Sequence, residues 1–409
     1  MLLRARIVYP VNSPPIEDGA VIIQDEKILE VGHFQDLSSS DPEQTDLGEV
    51  VLMPGLVNAH CHLDYTGMAG LIPPPRDFVD WIEAIIAIKA SWDYSDYAKS
   101  WLEGANQLLA SGITTVADME AVPELIPDVT TSTALRVHTF LELIAIRKRQ
   151  TLLGQVAEAE ARLTSHPSPR GGSGLAPHAL YSSYSSLLQV AACTADSNNW
   201  PLSIHLAESA TENEMFLQGR GRMFNWLKRN ERDMSDCGSK SPIQLLNELN
   251  LLNSRLLAVH CNYVDETDIG LLGYNRVHVA HCPNSHDYFG HKEFPARKLA
   301  LAGANLCLGT DSLASTRKKN GTKPNLDLFD EMKLFADKNV EFTAEEIIRM
   351  VTINGAKALG KSHFIGEFSA NTAADLITMP IAPAVQQTAE KVLESTDSPS
   401  RVMVAGQWI

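Results

Sequence analysis

From residue 51 onward the chain repeats one pattern, a short β-rich apolar run followed by a longer stretch of helical periodicity. The runs are "VVLMPGLVNAH", "ITTVADM", "LRVHTFLEL", "GSGLAPH", "LSIHLAE", "RLLAVHC", "RVHVAHC" and "ANLCLGTD". Helix-like segments fall between or after them at 78–90, 95–110, 150–165, 185–195, 211–229, 242–250, 292–302 and 325–337. Near-continuous apolar runs suit strands buried on both faces, and strand–helix alternation builds parallel sheets. Eight such units predict an α/β fold, a TIM-like (β/α)8 barrel over residues 51–363. The two ends read differently. Residues 1–50 carry "RARIVYP" and "GAVIIQDEKILEVG", with a hairpin break at Asp25-Glu26-Lys27, and residues 364–409 return to "DLITMPI" and "SRVMVAGQWI". Together they predict a small β-sandwich domain built from both termini.

The strand ends carry the chemistry. "GLVNAHCHLDYTG" places His60 and His62 two residues apart, and alternate residues of a strand share a face. The fourth run ends in Pro177-His178, the fifth in His205 with Glu208 three residues on, the sixth in His260, the seventh in His281 and the eighth in Asp311. All C-terminal strand ends of a barrel face one mouth, where catalytic residues collect. Core packing gives no reason for six strands of eight to end in such groups. His60, His62, His205 and Asp311 would offer three nitrogens and one oxygen, a set suited to one divalent ion, Zn2+ first and Fe2+ second. Glu208 lies within general-base reach of such an ion; its bland reading is a carboxylate at a helix N-terminus, as for Glu212 and Glu214. His278, three residues before His281, is expected to point the other way and pack. His33, His138, His166, His291 and His363 are expected to be structural or solvent-facing. Asp118 is expected to fix a loop, and Asp64 and Tyr65 to shape the mouth or satisfy loop amides. Trp81, Tyr181, Tyr184, Tyr288 and Phe289 can stack on a purine or simply pack.

Charge narrows the partners. A net charge of −16 argues against a nucleic-acid-binding surface, which must be basic. No 18-residue apolar run exists to span a membrane. The six cysteines form no Cys-x-x-Cys pair, and the N-terminal "MLLRARIVYPVNSPP" lacks the apolar core of a signal peptide, so a cytoplasmic protein is expected. The segment "STRKKNGTKPN" after Asp311 is read as a solvated cationic loop, so neutralising Arg317, Lys318 and Lys319 should leave KM unchanged.

The motifs "PGLVNAHCH", "HLAES", "HCNYV", "HCPNS" and "LGTDSLAS" occur in the order and spacing of the amidohydrolase superfamily. The chain resembles its mononuclear deaminase and chlorohydrolase branch along its whole length. That resemblance implies metal ligation by His60, His62, His205 and Asp311, and proton transfer by Glu208. It also implies that His260 holds the attacking water or the substrate and that His178 contacts the heterocycle; in the mechanism expected here, Asp311 or Glu208 relays a proton to the leaving ammonia. His281, implied on the substrate side, opens a "HCPxSN"-like motif whose last residue is His286 where Asn is usual. Binuclear relatives bridge two metals with a strand-four lysine. Residues 149–227 contain none, which points to one ion. The implied reaction is hydrolytic deamination of an amino-substituted N-heterocycle, because a His-x-x-Glu pair can protonate a ring nitrogen and an ordinary amide gains little from that. The first substrate choice is a 6-aminopurine nucleoside such as adenosine, S-adenosylhomocysteine, 5′-methylthioadenosine or aminodeoxyfutalosine. Guanine or pterin deamination, and dechlorination or other C–N and C–X hydrolysis on a ring, are the alternatives. A catalytically dead scaffold is disfavoured by the complete ligand set. The small-molecule substrate would be served by a homo-oligomer, a dimer.

Overall fold

The computed structural model describes residues 1–37, 43–147, 152–317 and 323–409. Lys318 and Lys319, and the first residues of the helix expected at 150–165, lie outside the described residues. Eight parallel strands form one sheet in chain order: β1 (Leu56–Cys61), β2 (Ile113–Glu120), β3 (Arg136–Leu143), β4 (Gly172–Pro177), β5 (Leu202–Leu206), β6 (Leu256–His260), β7 (His278–His281) and β8 (Asn305–Leu308). A parallel bridge between Cys61 and Asp311 brings the last strand back to the first, and the Asp311 amide donates to the His60 carbonyl at 3.1 Å. The barrel is the one the alternation predicts. Its closure depends on Gly309, where a Cβ would lie 2.7 Å from the His60 carbonyl oxygen, too close for any other residue.

Helices follow the strands as amphipathic covers. Tyr94–Ala110 starts on a capping box at Asp93 and buries Trp101, Ala105 and Leu108. The helix expected over 211–229 is two helices, Ala210–Gln218 and Arg222–Arg229, because Gly219 (φ 63°) and Gly221 (φ 98°) take left-handed backbone between them. The break turns Trp226 and Leu227 over the barrel mouth, while Arg222 pairs with Asp80 on the helix Phe78–Lys89. Among the described residues no helix is long and apolar enough to cross a membrane.

Both termini build a second, eight-stranded sheet. Its order runs from Gln407–Trp408 through Arg401–Val404, Leu376–Met379, Val51–Pro54, Leu2–Val8 and Ile16–Gln24 to Lys27–His33, with Gln44–Asp46 beside Leu2–Val8. The hairpin turns at Asp25-Glu26, as expected. The sheet curls in sandwich fashion: the Ile28 amide donates to Thr372 and the Asn371 amide to Ile28, each at 2.8 Å. One boundary moves. Val51–Pro54, read as the start of the first barrel run, pairs with Leu2–Val8 and Leu376–Met379 and belongs to this terminal sheet.

Candidate active site

Closing the barrel between β1 and β8 puts His60, His62 and Asp311 side by side. His60 Nε2 lies 3.5 Å from Asp311 Oδ1 and His62 Nε2 3.9 Å from the same oxygen. The other carboxylate oxygen, Oδ2, accepts from Ser315 Oγ at 3.1 Å, which fixes the orientation of Oδ1. His205 arrives from β5 with its Nε2 3.3 Å from that of His62. Its Nδ1 is 2.9 Å from the His178 carbonyl and so carries the hydrogen, leaving the Nε2 lone pair turned inward. Both ring nitrogens of His60 and the Nδ1 of His62 are buried with no hydrogen-bond partner. One ion takes one nitrogen from each ring, so a divalent cation would satisfy the inward Nε2 of His60 beside those of His62 and His205 and the Asp311 carboxylate. The residues therefore fit a metal ion. His62 is held well below the usual histidine range by burial and by His60 and His205, and burial beside His178 and His60 holds His205 at about 3. Burial pushes the Asp311 carboxyl up, but the facing His60, His260 and His62 outweigh it and keep it well below the carboxylate range.

His260 and Glu208 complete one side of the mouth. The ligand atoms of His60, His205 and His260 lie within 4.8 Å of one another, so His260 also borders the cation position. His260 Nε2 is 3.5 Å from Glu208 Oε1. The Glu208 amide donates to Glu212 Oε2 at 2.7 Å, and its carbonyl accepts from Asn262 Nδ2 at 3.0 Å. Glu212 is thus a backbone anchor as well as a first-turn acid. Burial, then the charges of Asp311 and Glu212, push the Glu208 carboxyl well above the usual range. Ala207, His260, Cys261 and Asp311 all have positive φ, of 50°, 74°, 50° and 54°. Backbone strain of this kind, at three strand ends around one point, is held only where the surroundings over-determine it.

The opposite side of the mouth contains what the strand-end reading missed. Glu142, from β3, puts Oε1 3.9 Å from His178 Nε2 with no hydrogen-bond partner. Lys89 donates to the Tyr65 hydroxyl at 2.5 Å, and the Tyr65 ring lies parallel to His62 at 5.3 Å. Tyr65 therefore backs a predicted ligand, and Asp118 does the same by accepting from the Leu63 amide and from Trp101 Nε1. His178 faces the cavity, with Nδ1 2.6 Å from Ser182 Oγ. His281 does not line the cavity. It sits behind the wall, stacked on Phe294 at 3.9 Å and edge-on to His286. His278 is buried and bonded to the Ser254 carbonyl, packed as expected.

Above these groups opens a cavity of about 940 Å3, part of it open to solvent. His62, His178, His205, Glu208, His260 and Asp311 form its polar floor, and Phe78, Trp81, Ile82, Ile85, Ile146 and Trp226 contribute to an apolar wall. Of the aromatic residues considered for stacking, Trp81 and Tyr181 reach the cavity. Glu142, His178 and His205 form a further group with ligand atoms within 4.8 Å, but His205 has only one lone pair to give.

Known proteins share this architecture. The chain is 31% identical over 359 residues to a 5-methylthioadenosine/S-adenosylhomocysteine deaminase of Pyrococcus furiosus, covering 85% of this chain and 79% of the relative. It is 30% identical over 358 residues to a 5′-deoxyadenosine deaminase of Methanothermobacter thermautotrophicus, covering 84% and 77%. The crystal structure of Helicobacter pylori aminofutalosine deaminase in complex with methylthio-coformycin superposes with a TM-score of 0.87. It covers 100% of this chain and 99% of that one at 20% identity, a likeness of fold. Residues 51–409 match the Amidohydrolase family, which spans the barrel and the C-terminal strands, and the chain belongs to that family.

Proposed function

We propose that the protein is a metal-dependent aminohydrolase that removes the amino group of an adenosine-like nucleoside as ammonia and leaves the oxo heterocycle. The observation that carries this reading is the Glu208 carboxyl, buried beside His260 at the cavity floor and pushed towards its protonated form. An acid so placed can protonate a ring nitrogen, the step that makes an aromatic amidine carbon open to attack. The curated relatives' names support an adenosine-like substrate, and the apolar wall suits a purine.

His60, His62, His205 and Asp311 would hold one ion, zinc before iron(II), since His205 cannot share its single free lone pair with a second. When bound, that ion supplies Lewis acidity, which makes water nucleophilic near neutral pH. The residues do the rest. Glu208 gives its proton to the ring nitrogen beside the amino-bearing carbon and recovers one from the attacking water. His260, kept neutral by burial, donates towards the oxygen as charge develops there. The new C–O bond forms, the C–N bond breaks, and Asp311 or Glu208 passes the remaining proton to the departing ammonia. His178 contacts the heterocycle. His281, off the cavity wall, would act on the substrate side only through the residues in front of it. A homodimer working in the cytoplasm completes the reading; the six unpaired cysteines suit a reducing compartment.

The test is a panel of adenosine, 5′-methylthioadenosine, 5′-deoxyadenosine, S-adenosylhomocysteine, guanine, a pterin and a chlorotriazine, assayed for ammonia and chloride with zinc-loaded protein. Ammonia should come fastest from a 6-aminopurine nucleoside. Chloride release with no ammonia, or no ammonia from any nucleoside, overturns the assignment. Light scattering checks the dimer.

A further inference from the structure

His286 stands where the resembling motif has Asn, and the structure shows what the imidazole does there. Its Nδ1 lies 3.0 Å from Asn262 Oδ1. Asn262 turns its amide nitrogen to the Glu208 carbonyl, again at 3.0 Å, so its oxygen faces the ring and Nδ1 carries the hydrogen. Both side chains are buried, and His286 is wedged edge-on between His281 at 5.1 Å and His291 at 5.4 Å. His291 is tied in turn to the Tyr263 hydroxyl. The Glu208 peptide is therefore gripped at both polar atoms, by Glu212 in front and by Asn262 behind.

We propose that His286 is a positioning residue for Glu208, acting through Asn262 to fix the backbone that carries the proton-transferring carboxyl. The inference rests on the proposed role of Glu208. Small misplacements of a reacting group are costly, about 10²-fold for 1 Å, and Glu208 reaches His260 only at 3.5 Å. Covalent geometry explains why histidine can replace asparagine. Nδ1 of histidine and Nδ2 of asparagine are the same number of bonds from Cα, whereas the nitrogen of glutamine is one bond farther. Asparagine keeps the donor in reach of Asn262; glutamine keeps the bulk of the ring and misplaces the donor.

Steady-state kinetics and melting temperatures of His286→Leu, His286→Asn and His286→Gln test this on the best substrate of the panel. His286→Leu should lower kcat by roughly 10–100-fold with KM nearly unchanged. His286→Asn should restore most of the loss and His286→Gln little of it. In an Asn262→Ala background the three should become equivalent, since the link is already cut. Glutamine equal to or better than asparagine indicates a space-filling role and overturns the proposal, as does wild-type turnover in His286→Leu. Should His286→Leu fail to fold, the asparagine–glutamine order alone decides. Glu208→Gln is run beside them. If it keeps wild-type turnover, the proton-transfer reading itself falls. If it loses turnover while His286→Leu does not, only the positioning role falls.

Discussion

Glu208 is where two readings of one carboxylate make opposite forecasts. As the proton carrier, its replacement in Glu208→Gln keeps size and hydrogen bonding but cannot exchange a proton. Turnover should then fall by roughly 10²–10⁴-fold. Metal content and melting temperature should stay near wild type, because Glu208 is outside the His60–His62–His205–Asp311 group and its backbone anchors remain. As a mere helix-end carboxylate, the same change would cost at most ~1 kcal/mol of stability and leave turnover intact. Measuring kcat, bound metal and melting temperature on one preparation separates the two. The structure already favours chemistry in one respect. The acid at the helix start that accepts backbone amides is Glu212, which takes those of Ala207 and Glu208, and Glu208 is left to face His260.

At the scale of the strand, both ends of the barrel carry histidines, but only one end aims them at a common point. His278 opens β7 at the far end, donating from Nε2 to the Ser254 carbonyl at 2.9 Å and accepting from Asn305 at Nδ1. Burial pushes it down to about 4, against the upward pull of the Ser254 carbonyl. The imidazole is thus neutral in the fold and would titrate near 6.5 in the unfolded chain. Its contribution is complete above pH 6.5 and is lost as pH falls towards 4, with a slope of at most ~1.4 kcal/mol per pH unit. His278→Gln, which cannot titrate, should flatten the acid limb of the melting-temperature profile between about pH 6.5 and 4. An unchanged limb would refute the assignment. Sequence periodicity exposed these strands and their ends because barrel geometry turns a linear position, the last residue of a run, into a shared location. Glu142 and Lys89 escaped that logic. Glu142 sits inside "TFLELIAI", where nothing marks an acid as cavity-facing. Lys89 closes an amphipathic helix whose cation reads as solvent-facing until Tyr65 is found beneath it. The glycine break in "QGRGR" and the passage of "VVLMPGLVNAH" from one sheet to the other were hidden for a related reason, since apolar continuity says nothing about which partner a strand will choose.

Across the whole molecule, the terminal sheet is pinned to the barrel by Asp375, whose carboxylate engages Arg136 of β3 through two hydrogen bonds. Asp375 also accepts from the Ala405 amide at its side chain and from the Gly55 amide at its carbonyl. Asp375→Ala would strand a buried guanidinium, a loss of ~3–5 kcal/mol for breaking such a pair. The denaturation midpoint should drop accordingly while KM and metal content hold; a shift in KM instead would mean that the sheet shapes the cavity. The closing bridge between Cys61 and Asp311 has a different consequence. It joins the strand that carries His60 and leads into His62 to the one that leads into Asp311. An ion held by these side chains, as proposed, would work as the clasp of a bracelet as well as a reagent. Chelation should therefore hasten amide hydrogen exchange in β1 and β8 before it reaches β3 and β4, and uniform exchange around the ring would contradict this. Losing the metal would then cost the barrel its fastening as well as its chemistry, with the first gap opening where the substrate is meant to sit.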